Sequence, residues 1–348
     1  MSPYVLTLLL FSLGLGTTMT FASSHWLLAW IGLELNTLAI IPLMAQNHHP
    51  RAVEATTKYF LIQASAAAVL LFAATTNAWL TGQWNIQAVA HPLPIAMATL
   101  ALALKLGLAP LHSWMPEVFQ GLDLTTGLIL ATWQKLAPLA LLIQIQPPTP
   151  YLLIFLGVAS TLIGGWGGLN QTQLRKMLAY SSTAHLGWMI LVLQFNPSLT
   201  LLAMSVYIPT TTATFLTLKL AKATNINMLA ISWAKAPALA ALTPLVLLSL
   251  AGLPPLTGFM PKWLILQELS KQGLALTATL TALTALLSLY YYLRLTYAMA
   301  LTMSPNNITG TPPWRLWSRQ PALPLACLTV TTVSLLPLTP AALALVAL

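Results

Sequence analysis

Four ionisable side chains lie inside long apolar stretches of this 348-residue chain. Glu34 lies within WIGLELNTLAIIPLM, Lys135 lies within TWQKLAPL, and Lys105 and Lys262 flank two breaks in apolar sequence. A charge near the centre of a bilayer costs about 2.5 to 3.5 kcal/mol on insertion scales, so each of these residues requires a reason. Desolvation and like-charge neighbours allow a lysine to exchange its proton near neutral pH, which is the property that a proton relay requires. We therefore expect these four residues to form a lateral chain of proton-translocating groups.

A structural ion pair is the alternative explanation for these charges. In that reading Glu34 pairs with one lysine, and the other two lysines reach the membrane surface or lie near helix ends. One carboxylate cannot neutralise three ammonium groups, and Lys135 is too central in its segment to reach an interface easily. The residues favour the relay, while the ion pair remains open.

A fifth candidate, His185, lies in the middle of LAYSSTAHLGWM, one helical turn after Ser181 and Ser182. Imidazole titrates near neutral pH, and the two hydroxyl groups could hold water beside it. The sequence leaves two roles open for His185, a bridge in a proton path and a structural histidine with satisfied hydrogen bonds.

The two breaks share a sequence pattern, GLAPLHSWMPE at 107–117 and GLPPLTGFMPK at 252–262. Non-helical backbone at membrane depth is tolerated only where it is buried in protein or lines a wet cavity. Paired interruptions in two halves of a membrane protein indicate a transport site. The residues that we expect to form the breaks are Pro110, His112, Pro116, Pro254, Pro255 and Pro261.

Helix dipoles predict different behaviour for the two lysines at the breaks. Lys105 lies at the C-terminal end of a half-helix, where the dipole favours the cation. Pro261 suits the first position of a restarting helix, which leaves Lys262 near the positive end of the dipole. We therefore expect Lys262 to release its proton more readily than Lys105. Glu117, at the position of the first break that matches Lys262, complements the dipole, which predicts a capping role.

The composition predicts a polytopic membrane protein. The chain is 57% hydrophobic and 5% charged, against roughly 25% charged residues in an ordinary soluble domain. An apolar helix of about 20 residues crosses a hydrocarbon core of about 30 Å. Segments of this kind are found at 3–22, 25–45, 59–80, 93–112, 124–145, 151–169, 177–195, 200–221, 239–270, 275–300 and 324–346.

The predicted fold is therefore all-α, with about 11 transmembrane helices. The breaks fall in the fourth and ninth helices, and this odd separation gives the two copies opposite orientations in the bilayer. We predict a single membrane domain, 1–348, that contains two inverted five-helix repeats with discontinuous helices 4 and 9. The first half covers 1–146 and the second half covers 147–301, followed by a loop and one extra C-terminal helix at 302–348.

Several kinds of site are excluded by the residues present. Cys327 is the only cysteine, so this chain alone cannot form an internal disulfide, a four-cysteine iron–sulfur site or a thiolate zinc site. The glycines at 164, 165, 167 and 168 lack a GxGxxG spacing and a preceding soluble strand, so we expect them to permit close helix packing and not nucleotide binding. We expect neither a metal ion nor a cofactor to be bound by this chain.

The net charge of +9 is distributed unevenly between alternate predicted loops. The positive-inside rule places the basic loops and the N-terminus on one face, and the N-terminal sequence has no cleavage pattern, so we expect the first span to be retained. Anionic membrane lipid such as cardiolipin, and not nucleic acid, is the expected partner of these charges. The basic loops contain Arg51, Lys58, Arg175, Lys176, Lys222, Lys235, Arg315 and Arg319, whereas the opposite loops contain little beyond Lys271.

Five segments carry a resemblance to a known family. They are WIGLELNTLAIIPLM at 30–44, EATTKYFLIQASAA at 54–67, KLGLAPLHSWMPEVFQGL at 105–122, QLRKMLAYSSTAHLGWM at 173–189 and LSLAGLPPLTGFMPKW at 248–263. Together they resemble, almost from end to end of the chain, the antiporter-like membrane subunits of mitochondrial NADH:ubiquinone oxidoreductase, respiratory complex I.

The resemblance implies a core proton-pumping subunit of the membrane arm with no redox centre of its own. It also implies roles for individual residues. By resemblance, Glu34 matches the family's key glutamate, Lys105 and Lys135 match its first-half lysines, Lys262 matches its second-half lysine, and His185 matches its connecting position.

The same resemblance implies cofactors, partners and a location for the whole complex. Electrons would pass from NADH to ubiquinone elsewhere, through FMN and iron–sulfur clusters, so the isolated chain is not expected to be catalytic. Its partners would be other membrane-arm and accessory subunits in the mitochondrial inner membrane. Protons would move from the matrix, where the N-terminus lies, to the intermembrane space. A free-standing secondary cation/proton antiporter is the alternative function, and a purely structural membrane scaffold is a third.

Overall fold

The computed structural model describes residues 2–46, 49–88, 91–145, 147, 150–234, 237–301, 322–341 and 344. Its secondary structure is helical, and within these ranges the only β interactions are two isolated bridges, one between His25 and Asn85 and one between Gln173 and Asn225. The chain forms two compact units, at residues 1–160 and 161–348. The predicted loop at 302–320, with Arg315 and Arg319, and the predicted loop residue Lys235 lie outside the described residues.

The first unit contains six helices and the start of a seventh, in the order α1 to α7. α1 packs against α2, α3 packs against α2, α4 and α5, and α6 packs against α1, α2 and α4. Several helices begin at a proline, whose fixed φ and missing N–H suit the first helical position. The helices are α1 (Pro3–Ala22), α2 (Trp26–Met44), α3 (Pro50–Thr81), α4 (Pro92–Leu106), α5 (Trp114–Gly121), α6 (Leu124–Ile145) and α7 (Pro150–Gly168).

The described residues of the second unit form the end of α7 and seven further helices. α9 packs against α8, α11, α12 and α14, and α13 packs against α8, α10, α11 and α12. Two short 3-10 helices follow α10 and α14, at Ile231–Ala234 and Leu336–Leu338. The helices are α8 (Leu174–Leu193), α9 (Pro197–Ala221), α10 (Ile226–Ala230), α11 (Pro237–Ala251), α12 (Phe259–Lys271), α13 (Ala275–Ala300) and α14 (Ala322–Ser334).

Seven helices in the described ranges are long and apolar enough to cross a membrane, namely α1, α2, α3, α6, α7, α9 and α13. The prediction of an all-α membrane protein is therefore confirmed, while the number of eleven spans and the inverted repeats stay predictions. Two predicted boundaries differ from the structure. α3 begins at Pro50 and not at 59, because a helix can extend past the apolar segment through the charged turns that contain Glu54 and Lys58. α14 ends at Ser334, where a 3-10 helix at Leu336–Leu338 interrupts the span predicted at 324–346.

Both predicted interruptions are present, and they end the preceding half-helix in the same way. α4 is followed by Gly107 with a φ of 78°, and α11 is followed by Gly252 with a φ of 79°. The N–H of each glycine donates to the carbonyl three residues earlier, at 3.2 Å for Gly107 and 3.0 Å for Gly252. The N–H of the leucine that follows donates to the carbonyl five residues earlier, at 3.0 Å for Leu108 and 3.3 Å for Leu253. This pattern is the Schellman motif, which satisfies the last carbonyls of a helix and favours glycine at the left-handed position.

The rest of each interruption also repeats. A cis peptide bond follows two residues after the glycine, between Ala109 and Pro110 and between Pro254 and Pro255. The second half-helices, α5 and α12, then begin at Trp114 and Phe259. The two breaks therefore repeat in backbone structure with the same spacing as in sequence. Gly252 follows Gly107 by 145 residues, and Phe259 follows Trp114 by 145 residues.

The glycine run at the end of α7 allows two helices to approach closely, as predicted. A methyl group at Gly164 would lie 2.6 Å from the backbone nitrogen of Ala184 in α8. A methyl group at Gly168 would lie 2.8 Å from the ring of Tyr291 in α13. Both distances are too short for a real side chain, so these glycines are needed for helix packing.

We predict that Gly252→Ala destabilises the protein more than an ordinary left-handed glycine would. Any other residue at this φ costs about 1 to 2 kcal/mol, and a methyl group here would also lie 2.8 Å from Cδ of Lys262. The measurement is the thermal aggregation midpoint of the chain in native membranes. The control is Gly273→Ala, because Gly273 has a φ of 74° and no atom within 4 Å of the new methyl group. Equal losses for the two variants would contradict the packing of Lys262 against Gly252.

Candidate functional site

A small cavity in the first unit is lined by two of the predicted lysines, Lys105 and Lys135. Its volume is about 20 Å³, and a water molecule needs about 10 to 15 Å³ of such space. The cavity is therefore large enough for one water. Its polar lining consists of side chains from five helices, namely Asn36, Thr37, Tyr59, Gln63, Lys105, Trp114, Gln134 and Lys135.

Lys105 reaches this cavity because it lies in the last turn of α4, directly before the break. The side chain is buried, and its Nζ has no hydrogen-bond partner among the residues that the structure describes. The surrounding backbone is fixed by Trp114, whose indole N–H donates to the carbonyl of Leu104 at 3.1 Å. Gln63 in α3 also donates to the carbonyl of Lys105, at 3.4 Å. The break thus holds a buried amine beside a space of water size.

Lys135 is also buried and reaches the cavity from the middle of α6. The neighbouring Gln134 donates from Nε2 to the carbonyl of Asn36 in α2, at 3.1 Å, which joins the two helices at this level. The structure thus brings Lys105 and Lys135 to one cavity, while their role in a lateral proton-translocating chain stays a prediction.

Asn36 is a member of the site that sequence reasoning missed. Its side chain is buried, and neither Oδ1 nor Nδ2 has a hydrogen-bond partner within the described part of the chain. α1 covers the amide, since a methyl group at Gly16 would lie 2.6 Å from Asn36 Oδ1. An unpaired buried amide is costly in an apolar environment, whereas an amide that faces water in a cavity can both donate and accept hydrogen bonds. The only feature of the sequence that could have indicated Asn36 was its position two residues after Glu34.

Glu34 lies close to this cavity but does not line it. Its carboxylate is half-buried and accepts a hydrogen bond from the Thr37 hydroxyl at 3.1 Å. Glu34 interacts electrostatically with Lys105, yet among the described residues no lysine amine lies within 4 Å of its carboxylate. The structural ion pair between Glu34 and a lysine is therefore not formed among the described residues.

A second cavity, in the second unit, contains Lys262 and His185. Its volume is about 30 Å³, which is again enough for water. α12, α8, α9 and α11 provide its lining. The polar members are His185, Tyr207, Thr210, Ser249 and Lys262.

Lys262 extends back across the break to the end of the preceding half-helix. Its Nζ donates to the carbonyl of Ala251 at 2.7 Å, and its chain lies against Gly252. Lys262 is the fourth residue of α12, because the helix begins at Phe259 and not at Pro261, as the sequence had suggested. The amine, however, lies at the C-terminal end of α11, where the dipole favours a cation. Both amines therefore lie at the carbonyl end of a half-helix, and the helix dipoles give no reason for Lys262 to release its proton more readily than Lys105.

His185 packs its ring against Tyr207 in α9, with ring centroids 5.5 Å apart. Because both rings and Lys262 line the same cavity, the histidine lies where a proton path could use it. Tyr207 is a second site residue that sequence reasoning missed. It lies in VYIPTTT, where the neighbouring proline and threonines are typical of any membrane helix, so no pattern distinguished it.

The other residues predicted to form the breaks lie in or beside the two non-helical segments. His112 hydrogen-bonds the backbone of Pro110, which agrees with capping of a freed carbonyl. Pro116 is buried in α5, and Pro261 lines the second cavity. Pro254 and Pro255 form the exposed cis turn of the second break.

Glu117 does not use its carboxylate as a helix cap. It lies in the first turn of α5 as predicted, but it accepts from Lys58 Nζ of α3 at 2.8 Å. Lys58 also contacts Glu54, at 2.8 Å. These three exposed residues join α5 to α3 at the surface of the first unit.

Comparison with known families matches nearly the whole chain. Residues 23–288 match the transmembrane family described as NADH:quinone oxidoreductase/Mrp antiporter. Residues 289–343 match the C-terminal family of NADH dehydrogenase subunit 2.

Full-length relatives carry one name. The chain is 71% identical over 340 residues to NADH-ubiquinone oxidoreductase chain 2 of Tetraodon nigroviridis, covering 98% of each chain. It is 68% identical over 349 residues to the protein of the same name from Oncorhynchus mykiss, covering 100% of each.

Solved structures agree with the fold. A chain of respiratory complex I from Thermus thermophilus superposes with a TM-score of 0.88 and 29% identity, over 99% of this chain and 80% of that one. A chain of the Mrp complex from Dietzia sp. DQ12-45-1b superposes with a TM-score of 0.82 at 17% identity, over 97% of this chain and 76% of that one. The second likeness concerns the fold alone.

We predict that Lys105→Met leaves the protein as stable as before or more stable. The variant fills the same volume and removes a buried amine that has no hydrogen-bond partner, a defect that costs about 1 to 3 kcal/mol. Lys58→Met is the matched control, because it removes an amine held by two carboxylates and should lower stability slightly. Thermal aggregation midpoints in native membranes measure both changes. A clear loss of stability in Lys105→Met would mean that a partner holds the amine, which would contradict the absence of a hydrogen bond to Lys105 Nζ among the described residues.

Proposed function

The chain belongs to the NADH:quinone oxidoreductase/Mrp antiporter transmembrane family as a membrane subunit of NADH:ubiquinone oxidoreductase, respiratory complex I, and we propose that its buried lysines carry the protons that this subunit translocates. The observation that carries the proposal is the same in both units. A lysine amine lies at a helix break beside a cavity of water size. Placing an amine there is costly, and the exchange of protons with water is a function that would explain it.

The chemistry that we propose needs no redox centre in this chain. A buried amine is stable in its neutral form, and a water beside it can deliver or remove a proton. The protonated amine is destabilised by its low-dielectric surroundings, so a nearby change of charge shifts its occupancy strongly. Protonation and deprotonation of Glu34 would provide such a change for Lys105, with which it interacts.

We assign the remaining roles by the same reasoning. Lys135 exchanges protons with Lys105 through the first cavity, where Asn36 and Gln134 orient the water. In the second unit, Lys262 exchanges protons with His185 through the second cavity. Each step moves a proton between a nitrogen or oxygen atom and water and leaves no covalent change.

The finer architecture belongs to the same proposal. We propose about 11 transmembrane helices, with α4–α5 and α11–α12 as the discontinuous helices of two inverted repeats. The N-terminus would lie on the matrix side of the mitochondrial inner membrane, and protons would move toward the intermembrane space. Other membrane-arm and accessory subunits would be the partners, with anionic lipid such as cardiolipin at the basic loops and no nucleic acid.

The cofactors of the reaction would be bound by other chains. The complex would use NADH, FMN, iron–sulfur clusters and ubiquinone, whereas this chain has a single cysteine. Among the described residues no group of three His, Cys, Asp or Glu side chains is placed to hold a metal ion. The lining of the two cavities also argues against a free-standing antiporter for a metal cation, because no carboxylate side chain is among their described lining residues.

We predict that Lys262→Met lowers coupled NADH oxidation and proton pumping together in the assembled complex. Loss of one proton-transfer group typically costs about 100-fold or more in the step it serves, so pumping should fall to near background. The measurement combines NADH oxidation with the pH gradient formed by sealed inner-membrane vesicles.

Lys271→Met is the matched control, because Lys271 ends the same helix, is exposed and lies 3.8 Å from Glu268. This variant should retain both activities. Normal pumping by an intact complex that carries Lys262→Met would overturn the proposed function.

A further inference from the structure

We propose that the second unit binds the headgroup of an anionic phospholipid in a cavity beside Arg294, with the acyl chains of that lipid along α13. The inference rests on the part of the proposed function that names anionic lipid as a partner, and it gives that lipid a defined site. It is independent of the proton-translocating role of the lysines. The residues that line the cavity are Thr172, Asn225, Ile226, Asn227 and Arg294.

The cavity lies where two connecting segments meet the end of α13. Its volume is about 320 Å³, which is within the range of about 300 to 1,000 Å³ of pockets for small ligands. An isolated β bridge between Gln173 and Asn225 joins the two segments, and the N–H of Ile226 donates to the carbonyl of Thr172 at 3.3 Å. Thr172, Asn225 and Asn227 are exposed. The cavity therefore has fixed walls and is open to a ligand from outside.

Arg294 provides the positive charge of the cavity. It lies within the last two turns of α13, and its Nη1 donates to the carbonyl of Leu169 at 2.9 Å. This bond holds the guanidinium in place and uses one of its five N–H donors. In the described part of the chain, no carboxylate lies within 4 Å of Arg294. The remaining donors form a planar fork that matches a phosphate group, and the hydroxyl and amide side chains around it can donate to the same phosphate.

The charge of the second unit favours an anionic ligand. Residues 161–348 contain 10 of the 14 lysines and arginines but only one of the five acidic residues, Glu268. The first unit contains four of each, so the whole net charge of +9 belongs to the second unit. Glu268 precedes the start of α13 and lies 3.8 Å from Lys271, whereas Arg294 lies near the other end of that helix. A zwitterionic headgroup would therefore find no carboxylate for its ammonium among the residues that line the cavity.

An exposed apolar stripe on α13 favours a lipid over a soluble anion. Residues three or four positions apart lie on the same side of a helix, and Arg294 belongs to one such series along α13. The other members of this apolar stripe are exposed and are Leu276, Leu280, Leu283, Leu286, Tyr290 and Tyr297. α13 is also long and apolar enough to cross a membrane. A soluble phosphate ion would contact only the cavity, whereas a phospholipid fills the cavity and covers the stripe.

The test uses phosphatidylglycerol with a photoreactive diazirine group in one acyl chain. The intact complex is placed in phosphatidylcholine vesicles that contain this probe and is illuminated, and the labelled peptides of this chain are identified by mass spectrometry. Phosphatidylcholine with the same photoreactive chain is the matched lipid control. We expect phosphatidylglycerol to label α13 between Leu283 and Tyr290 about tenfold more than phosphatidylcholine does, the effect of one charge-assisted hydrogen bond. Equal labelling by the two lipids, or no labelling of α13, would overturn the site.

Variants test the role of Arg294 itself. Arg294→Gln should lower the labelling of α13 by phosphatidylglycerol about tenfold, because it removes the charge and the fork of donors. Lys176→Gln is the matched control, because Lys176 follows the same connecting segment as Thr172 but does not line the cavity. It should leave the labelling unchanged, and Arg294→Lys should retain part of it. Unchanged labelling in Arg294→Gln, or an equal loss in Lys176→Gln, would count against the site. If Arg294→Gln does not assemble, the comparison of the two lipids in the wild type still decides.

Two further outcomes separate the possible failures. Inorganic phosphate, added in excess at constant ionic strength, should not displace the probe from α13, and displacement would show that the cavity takes a soluble anion and not a lipid. If phosphatidylglycerol labels the basic loops in preference to phosphatidylcholine but does not label α13, the site is wrong and the proposed lipid partner stands. If no part of the chain prefers phosphatidylglycerol, the lipid partner and the site are both wrong.

Discussion

A lysine amine held in an apolar interior without a neighbouring carboxylate is the constraint on which the rest of this structure depends. Moving an ammonium out of water is expensive, and a nearby carboxylate is the usual compensation. Here Lys105 has no hydrogen-bond partner among the described residues, and Lys262 is held by a single backbone carbonyl. Both arrangements require polar surroundings that a continuous apolar helix does not provide.

The helix breaks provide those surroundings. Each break ends a half-helix with a Schellman motif at a left-handed glycine, so the last carbonyls are satisfied without water. The two units then place an amine at the same kind of position by different means. Lys105 belongs to the half-helix that ends, whereas Lys262 belongs to the half-helix that begins and extends backward to Ala251. The two breaks share their backbone structure, but their lysines come from different half-helices. This is why the glycines and prolines of the two segments align in sequence, whereas the lysines do not.

The sequence predicted most of this site because the strongest signals were chemical contradictions. Charges within apolar segments identified Glu34, Lys105, Lys135 and Lys262, and repeated Gly-Leu and Met-Pro pairs identified both breaks. Side-chain direction could not be read from spacing, which is why the dipole argument for Lys262 failed. Asn36 and Tyr207 were missed for a related reason. Amides and tyrosines occur throughout membrane helices, and only the packing of other helices around them makes these particular side chains part of a cavity.

Reaction-induced infrared difference spectroscopy of the assembled complex tests the central claim most directly. The complex would be labelled with 15N-lysine and compared with unlabelled complex and with Lys105→Met and Lys262→Met variants during NADH-driven turnover. If the buried amines exchange protons, the difference spectrum contains ammonium bands that shift with 15N and that weaken in each variant. A spectrum with no 15N-sensitive band during active pumping would contradict this account.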